Sequence, residues 1–186
     1  MRCFIAIDIN KEIRARIRHL QQELGQKISF KKGEIKWVDC SLVHLTLKFL
    51  GEVKDQNIYE LCQIVKGLAA EHGSFEINVQ KLGTFGSVPR VLWIGIDKNE
   101  ALLTFQKELD RRLSEAGWPG DRKEYSAHLT VCRIKNTNAG RELKTLIKDY
   151  SNFDLGPLQV NSICIYKSKL TSDGPEYTLI SRSSLK

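Results

Sequence analysis

The stretch Val43-His44-Leu45-Thr46-Leu47-Lys48-Phe49-Leu50-Gly51 decides the predicted fold, and Ala127-His128-Leu129-Thr130-Val131-Cys132-Arg133 repeats its pattern. Successive side chains of a β-strand point to opposite faces of the sheet. In each stretch His and Thr are two residues apart, so they share one face. The opposite face takes the apolar residues Leu45, Leu47, Phe49, Leu129 and Val131. We predict two strands, each with an apolar back and a His/Thr front.

The elements around these two strands follow the same order twice. Ile5-Ala6-Ile7-Asp8 precedes a helical stretch, the His44 strand and another helical stretch, and Ile94-Gly95-Ile96-Asp97 stands before the same succession around His128. This repetition predicts an α+β chain that forms one bilobal domain over residues 1–186. Its two pseudo-symmetric lobes, about 1–84 and 85–186, would each hold an antiparallel sheet with helices. The two His-x-Thr motifs would face each other across a central cleft.

Local signals predict where several elements begin and end. Asn10 and Asp55 are residue types that cap helix N-termini. The segment Gly83-Thr84-Phe85-Gly86-Ser87-Val88-Pro89 is rich in residues that break regular structure, so we predict a loop and a hinge there. Closing strands are predicted over 158–167 and 177–181, joined by a turn at Asp173-Gly174-Pro175.

Composition narrows the class of protein. The 186 residues include 29 Lys and Arg against 22 Asp and Glu, a formal net charge of +7 that favours a phosphorylated or polyanionic ligand. The five cysteines are odd in number and form no CxxC motif, so we expect reduced thiols in a cytoplasmic protein. No apolar run approaches the ~20 residues of a membrane span. Nothing in the sequence demands more than a monomer.

Two imidazoles and two hydroxyls around one small anion make a set of groups for acid/base chemistry. Imidazole has an unperturbed pKa of about 6.5, so one neutral His can accept a proton from water while one protonated His donates to a leaving alkoxide. The hydroxyls of Thr46 and Thr130 can donate hydrogen bonds to phosphate oxygens. Such a set can open a phosphodiester without cofactor or metal, and it can run the reverse reaction.

Three other chemistries have weaker support. Cys40 and His44 are four residues apart, as are His128 and Cys132, but four residues of extended chain span about 13 Å, too far to share a metal ion. A local Cys–His nucleophile is disfavoured for the same reason, whereas a pair across the cleft remains open. The chain has no glycine-rich phosphate loop of the GxxxxGK[ST] type.

Paired His-x-Thr motifs in a repeated α+β order resemble the 2H phosphoesterases. Over nearly the whole chain the sequence resembles their RNA 2′,3′-cyclic phosphodiesterase branch, also called 2′-5′ RNA ligases. The resemblance rests on the opening Arg2-Cys3-Phe4-Ile5-Ala6-Ile7, on both His-x-Thr motifs and on Pro89-Arg90-Val91-Leu92-Trp93. It implies metal-free hydrolysis of an RNA 2′,3′-cyclic phosphate end to a 2′-phosphate, with ligation of that end to a 5′-hydroxyl as the reverse reaction.

The resemblance also implies residue roles. His44 would be the proton donor and His128 the proton acceptor, while Thr46 and Thr130 bind the phosphate. Arg133 matches the Arg that ends the family's second motif, yet strict alternation places it on the face of Leu129 and Val131. Either the strand bends there or Arg133 reaches around its end to contact phosphate or RNA. The side chains of Trp37, Arg90 and Trp93 are further candidates for RNA contacts, with core packing as the alternative for Trp93.

Two other functions stay open from the sequence. The same chemistry could act on small cyclic or 2′-5′ nucleotides, because the motifs contact phosphate and ribose rather than base. A non-catalytic RNA-binding module would also use a basic cleft, although binding alone does not need a pair of imidazoles.

Overall fold

The computed structural model describes residues 1–172 and 174–186, so the predicted turn residue Asp173 lies outside the described residues. Within them, thirteen helices and strands confirm the α+β class; they are β1 (Arg2–Asp8), α1 (Lys11–Lys27), β2 (Ile35–Trp37), β3 (His44–Glu52), α2 (Ile58–Glu71), β4 (Phe75–Phe85), β5 (Val91–Ile96), α3 (Glu100–Glu115), β6 (His128–Ile134), α4 (Thr137–Leu146), β7 (Asp154–Val160), β8 (Ser162–Leu170) and β9 (Pro175–Ser184).

The strands form an antiparallel sheet in the order β7-β4-β5-β6-β3-β1-β8-β9, and β2 pairs with β6 beside this path. The two His strands, β3 and β6, are neighbours at the centre and pair at Leu45 and Leu129. We call β3, β1, β8 and β9 the first half-sheet, and β6, β5, β4 and β7 the second. The C-terminal strands complete the first half-sheet, and the division into lobes near residue 84 stays a prediction.

The register of the outer strands shows how the two halves correspond. Ile7 on β1 pairs with Leu45, and Ile94 on β5 pairs with Leu129. The next residues, Asp8 and Gly95, are therefore counterparts. The order of elements sets Ile5-Ala6-Ile7-Asp8 beside Ile94-Gly95-Ile96-Asp97, but Asp97 lies two residues past the counterpart of Asp8, beyond the end of β5.

Apolar side chains from the helices and from one face of the central strands form a continuous core. Ile13, Ile17, Leu20 and Leu24 are the buried stripe of α1, and they belong to the same cluster as Leu45 and Leu129. The His/Thr face of β3 and β6 therefore points away from this core. No helix among the described residues has both the length and the apolar character to cross a membrane.

Of the two predicted helix N-caps, one is confirmed and one is wrong. The Asn10 side chain accepts a hydrogen bond of 2.8 Å from the Ile13 amide and caps α1, as predicted. The prediction for Asp55 is wrong: residues Asp55–Asn57 form a turn of 3-10 helix, and α2 begins after Asn57, whose side chain makes no capping bond.

Two strand predictions also need correction. The strand predicted over 158–167 is two strands, β7 and β8, which are interrupted at Asn161. The predicted loop begins later than expected, because Gly83, Thr84 and Phe85 continue β4. Their ladder with β5 explains this, since Gly83 pairs with Trp93 and Phe85 with Val91.

Candidate active site

A cleft of about 790 Å³ lies over the His/Thr face where the two half-sheets meet, and His44, Thr46, His128 and Thr130 line it. Continuing the Leu45–Leu129 register by one residue in each direction sets His44 opposite Thr130 and Thr46 opposite His128. The two histidines are then diagonal neighbours, a relation that separates Cα atoms by about 7–8 Å in antiparallel strands. This spacing leaves room for one phosphate between two imidazoles.

Both imidazoles are anchored by the same local bond. The Nδ1 atom of His44 lies 2.7 Å from the carbonyl oxygen of Leu42, and the Nδ1 atom of His128 lies 2.7 Å from that of Ser126. A carbonyl oxygen can only accept, so Nδ1 carries the proton in each ring. Nε2 is therefore the ring atom left to exchange a proton with a ligand: it accepts one when the ring is neutral and donates one when the ring is charged.

The aromatic surroundings of the two histidines differ. Phe4 stacks on His44 with ring centroids 4.6 Å apart. The Tyr177 ring forms a T-shaped contact with the same imidazole, with centroids 5.4 Å apart. Burial lowers the pKa of His44 below the ordinary value, although the Leu42 carbonyl and the Asp8 carboxylate act in the opposite direction. His128 contacts the ring of Phe85 edge-on at 4.8 Å.

A β-bulge explains how Arg133 reaches the cleft. On β5, Leu92 pairs with Cys132 and Trp93 with Thr130, so Val131 is an extra residue on β6. Val131 and Cys132 are both buried, and the alternation resumes with Arg133 exposed on the His/Thr side, where it lines the cleft. Of the two alternatives left by the sequence, the irregular strand is therefore correct.

The first half-sheet has the same bulge. Ile5 pairs with Lys48 and Ala6 with Thr46, which makes Leu47 the extra residue on β3. Phe49 consequently faces the cleft and is 71% exposed, so its predicted place on the apolar back is wrong. Phe49 and Arg133 each stand five residues after their histidine. In both strands, the residue five positions after the motif histidine therefore lines the cleft, although strict alternation places it on the opposite face.

The cleft lining combines cationic and apolar surface. Arg133 pairs across the ladder with Lys36 on β2, and both line the cleft, so this part of the lining is cationic. Phe49, Tyr177 and Leu170 add apolar surface to the same lining, and Leu170 is 77% exposed. Such a cleft suits a ligand with a planar or apolar part and a phosphate-rich part.

Of the other predicted RNA contacts, only Trp37 lies in the cleft lining. Trp93 instead covers Gly83 on the neighbouring strand and packs against Phe85, with ring centroids 5.4 Å apart. The Arg90 guanidinium donates a 3.0 Å hydrogen bond to the Lys135 carbonyl outside the cleft lining. Phe85, Tyr177 and Lys36 are cleft residues that the sequence did not indicate.

The thiols near the histidines belong to the core. Cys40 and Cys132 are buried, and burial raises the pKa of both, that of Cys132 to about 12. A protonated thiol is a poor nucleophile and a poor metal ligand. In the described parts of the chain, no three His, Cys, Asp or Glu side chains are grouped to hold a metal ion; metal independence itself stays a prediction.

Comparison with known proteins agrees with this duplicated arrangement. The family model described as "LigT like Phosphoesterase" matches residues 7–93 and again residues 94–177. The first residues of the two matches, Ile7 and Ile94, are the counterparts given by the sheet register.

Individual proteins resemble the chain along its full length. An RNA 2′,3′-cyclic phosphodiesterase of Methanocaldococcus jannaschii is 36% identical over 182 residues, covering 97% of this chain and 98% of its own. One of Aquifex aeolicus is 33% identical, with 97% and 95% covered. The crystal structure of TT0787 of Thermus thermophilus has the same fold, with a TM-score of 0.82, 24% identity and coverage of 100% and 98%. The chain therefore belongs to the LigT-like phosphoesterase family.

Proposed function

We propose that this protein is an RNA 2′,3′-cyclic phosphodiesterase, which opens the cyclic phosphate at an RNA 3′ end to a 2′-phosphomonoester. The observation that carries the proposal is the pair of imidazoles with Nδ1 bound to a backbone carbonyl and Nε2 free, on one face with two threonine hydroxyls. The relatives that carry this activity in their names support the same substrate.

In the proposed reaction His128 acts as the base and His44 as the acid. Water attacks phosphorus and gives one proton to Nε2 of His128, while the bond from phosphorus to the 3′ oxygen breaks. His44 donates its Nε2 proton to that oxygen, so the products are a 2′-phosphate and a 3′-hydroxyl. Thr46 and Thr130 donate hydrogen bonds to the non-bridging oxygens. No metal or cofactor takes part.

The proton on His44 needs an explanation, because burial lowers the pKa of this imidazole in the free protein. A bound phosphodiester brings a negative charge next to the ring, and an opposite charge favours the protonated form. His44 would then become charged as the substrate binds. Its low intrinsic pKa makes it a stronger acid at the moment when the 3′ oxygen leaves.

Arg133 is proposed as a secondary contact to phosphate or RNA. The bulge at Val131 supports this role, because it places the guanidinium on the His/Thr side. The same residues would also join a cyclic-phosphate end to a 5′-hydroxyl. In that ligation the 5′-hydroxyl takes the place of water, gives its proton to His128 and forms a 2′-5′ bond, while His44 again protonates the 3′ oxygen.

The test uses a short RNA that ends in a 2′,3′-cyclic phosphate, with chelator present. We expect the unaltered protein to release a 2′-phosphate, and His44→Ala and His128→Ala each to lower kcat by about a thousandfold. His19→Ala is the matched control, since this third histidine is exposed on α1 and lies outside the cleft lining. Equal thermal unfolding of all variants would show that the loss is chemical.

Other outcomes would replace the proposal. RNA binding without turnover would indicate a binding module, and a 3′-phosphate product would require the other ester bond to break. Turnover of small cyclic or 2′-5′ nucleotides, with none on RNA ends, would move the assignment to those substrates. Activity lost with chelator and restored by a divalent ion would contradict the metal-free reaction.

A further inference from the structure

The two histidines have different neighbours on the adjacent outer strand. His44 is paired with Asp8 of β1, whereas His128 is paired with Gly95 of β5. Directly opposite residues of an antiparallel pair share one face, with Cβ atoms about 4.5–5.5 Å apart. A carboxylate therefore lies beside the imidazole in the first half-sheet, and a hydrogen atom stands in its place in the second.

The Asp8 carboxylate is held by hydrogen bonds from the far side. The Tyr166 hydroxyl donates to Oδ1 at 2.8 Å, and Nη2 of Arg182 donates to Oδ2 at 2.8 Å. The Cys164 thiol lies 3.6 Å from Oδ2. Burial acts to raise the pKa of Asp8, but the bonds from Tyr166 and Arg182 outweigh it and hold this pKa below its ordinary value. The carboxylate is thus charged throughout the neutral range.

Several titratable or charged groups surround His44, and Asp8 is the one that the sheet register sets directly opposite it. Arg14 on α1 disfavours the protonated ring, as burial does, whereas Asp8 favours it. Tyr177 on β9 meets the edge of the imidazole. Among the described residues, the other such groups in the lining of the cleft are His128 and Arg133 on β6, Glu176 on β9, Lys36 on β2 and Asp39 after β2.

We propose that Asp8 is a positioning residue that favours the protonated form of His44. Because Gly95 takes the equivalent place beside His128, this difference between the halves makes His44 the acid and His128 the base. The inference rests on the proposed function for the two roles, but not for the effect of Asp8 on His44. Asp8 acts through His44, because its oxygens are engaged with Tyr166 and Arg182 rather than with the cleft. Arg182 sets the strength of the effect, since it neutralises part of the charge.

The first test measures the pKa of each imidazole by NMR titration of the free protein, without substrate. Asp8→Asn should lower the pKa of His44 by about 0.5 to 1 unit, because the neighbouring negative charge is lost. Arg182→Gln should raise it, because the negative charge of Asp8 is then less compensated. His128 should titrate unchanged in both variants. Damage to the fold would not shift the same group in opposite directions.

Asp97→Asn is the matched control. Asp97 is the residue that the sequence repeat aligns with Asp8, yet its carboxylate accepts a hydrogen bond from Gln80, and it lies two residues past the position opposite His128. It should leave both imidazoles unchanged. An unshifted His44 in Asp8→Asn, or equal shifts in the same direction in the Asp8 and Arg182 variants, would overturn the proposal.

The second test is the pH profile of kcat/KM on a cyclic-phosphate RNA end. The two limbs report the pKa values of the essential acid and base in the free enzyme, and the NMR titration identifies the limb that belongs to His44. Asp8→Asn should move that limb toward lower pH by the shift measured for His44, and Asp8→Glu should restore part of it. Movement of the other limb, or of neither limb, would overturn the proposal. Absence of turnover in the parent protein would refute the proposed function, while the NMR test would still decide the effect of Asp8.

Discussion

Replacing Gly83 by Ala should disturb both the sheet and the candidate site. A Cβ atom at Gly83 would lie 2.2, 2.3 and 2.7 Å from three atoms of the Trp93 ring, which covers this glycine across the β4–β5 ladder. Carbon atoms in contact are normally about 3.5–4.0 Å apart. The indole must therefore move by more than an ångström. Phe85 packs on Trp93 and on His128, so the displacement reaches the imidazole.

Forcing extra volume into a packed position usually costs about 1–3 kcal/mol. Because the new atom meets a rigid ring rather than the end of a flexible chain, we expect Gly83→Ala to lower the free energy of unfolding by about 2–3 kcal/mol. Trp93 and Phe85 are held in place by β5 and β4, so part of the strain should also appear as a several-fold loss of kcat/KM. Urea unfolding, compared at constant m-value, measures the first effect.

Gly67→Ala provides the opposite prediction in the same protein. Gly67 is an exposed residue within α2, and a Cβ there would meet nothing within 4 Å. Alanine in a helix interior is favoured over glycine by about 0.8–1 kcal/mol, so this variant should be more stable and equally active. A Gly83→Ala protein as stable as the parent would refute the reasoning, and so would a destabilised Gly67→Ala protein.

Three further changes follow from the charges. Lys48, whose side chain is 1% exposed, is paired with Asp110 and with Asp121, the latter at 3.2 Å. Both carboxylates are partly exposed, so breaking these pairs costs less than breaking a fully buried one. Lys48→Met should lower the free energy of unfolding in urea by about 1–2 kcal/mol. Arg133→Gln should weaken RNA binding and reduce the salt dependence of log Kd by about one unit of slope, with thermal stability unchanged. The pKa of Asp8 is lower in the folded state than its ordinary value of 3.8. The charged carboxylate therefore stabilises the fold above pH 3.8, and this stabilisation is lost as the pH falls through the folded-state pKa. The free energy of unfolding of Asp8→Asn, measured against pH in the acid range, should lack this loss.

The sequence predicted the two motif strands because their pattern is local. Alternating His, Leu and Thr specify a strand with two chemically distinct faces, and the apolar stripe of α1 with Asn10 specifies a capped helix. These features depend on neighbours within one or two turns of chain, and the structure confirms them.

The features that alternation along one strand does not predict depend on the partner strands. The bulges at Leu47 and Val131 shift the alternation by one residue, and only the register with β1 and β5 shows where they occur. The same register decides that Asp8, rather than a residue equivalent to Asp97, stands beside a histidine. The sequence around Gly83 does not predict a strand. A glycine is needed there because the indole of Trp93, on the partner strand, occupies the space of a side chain.

The hydrogen bond from each imidazole to the carbonyl two residues earlier bears on how a duplicated protein acquires two oriented histidines. Each ring is oriented by its own peptide segment, so a copied segment would carry its orienting group with it and need no newly evolved partner. An ancestral gene duplication could thereby deliver two working imidazoles at once. Later divergence would then change only the residues around each imidazole. Two such differences are Asp8 in place of Gly95, and Phe49 in place of Arg133.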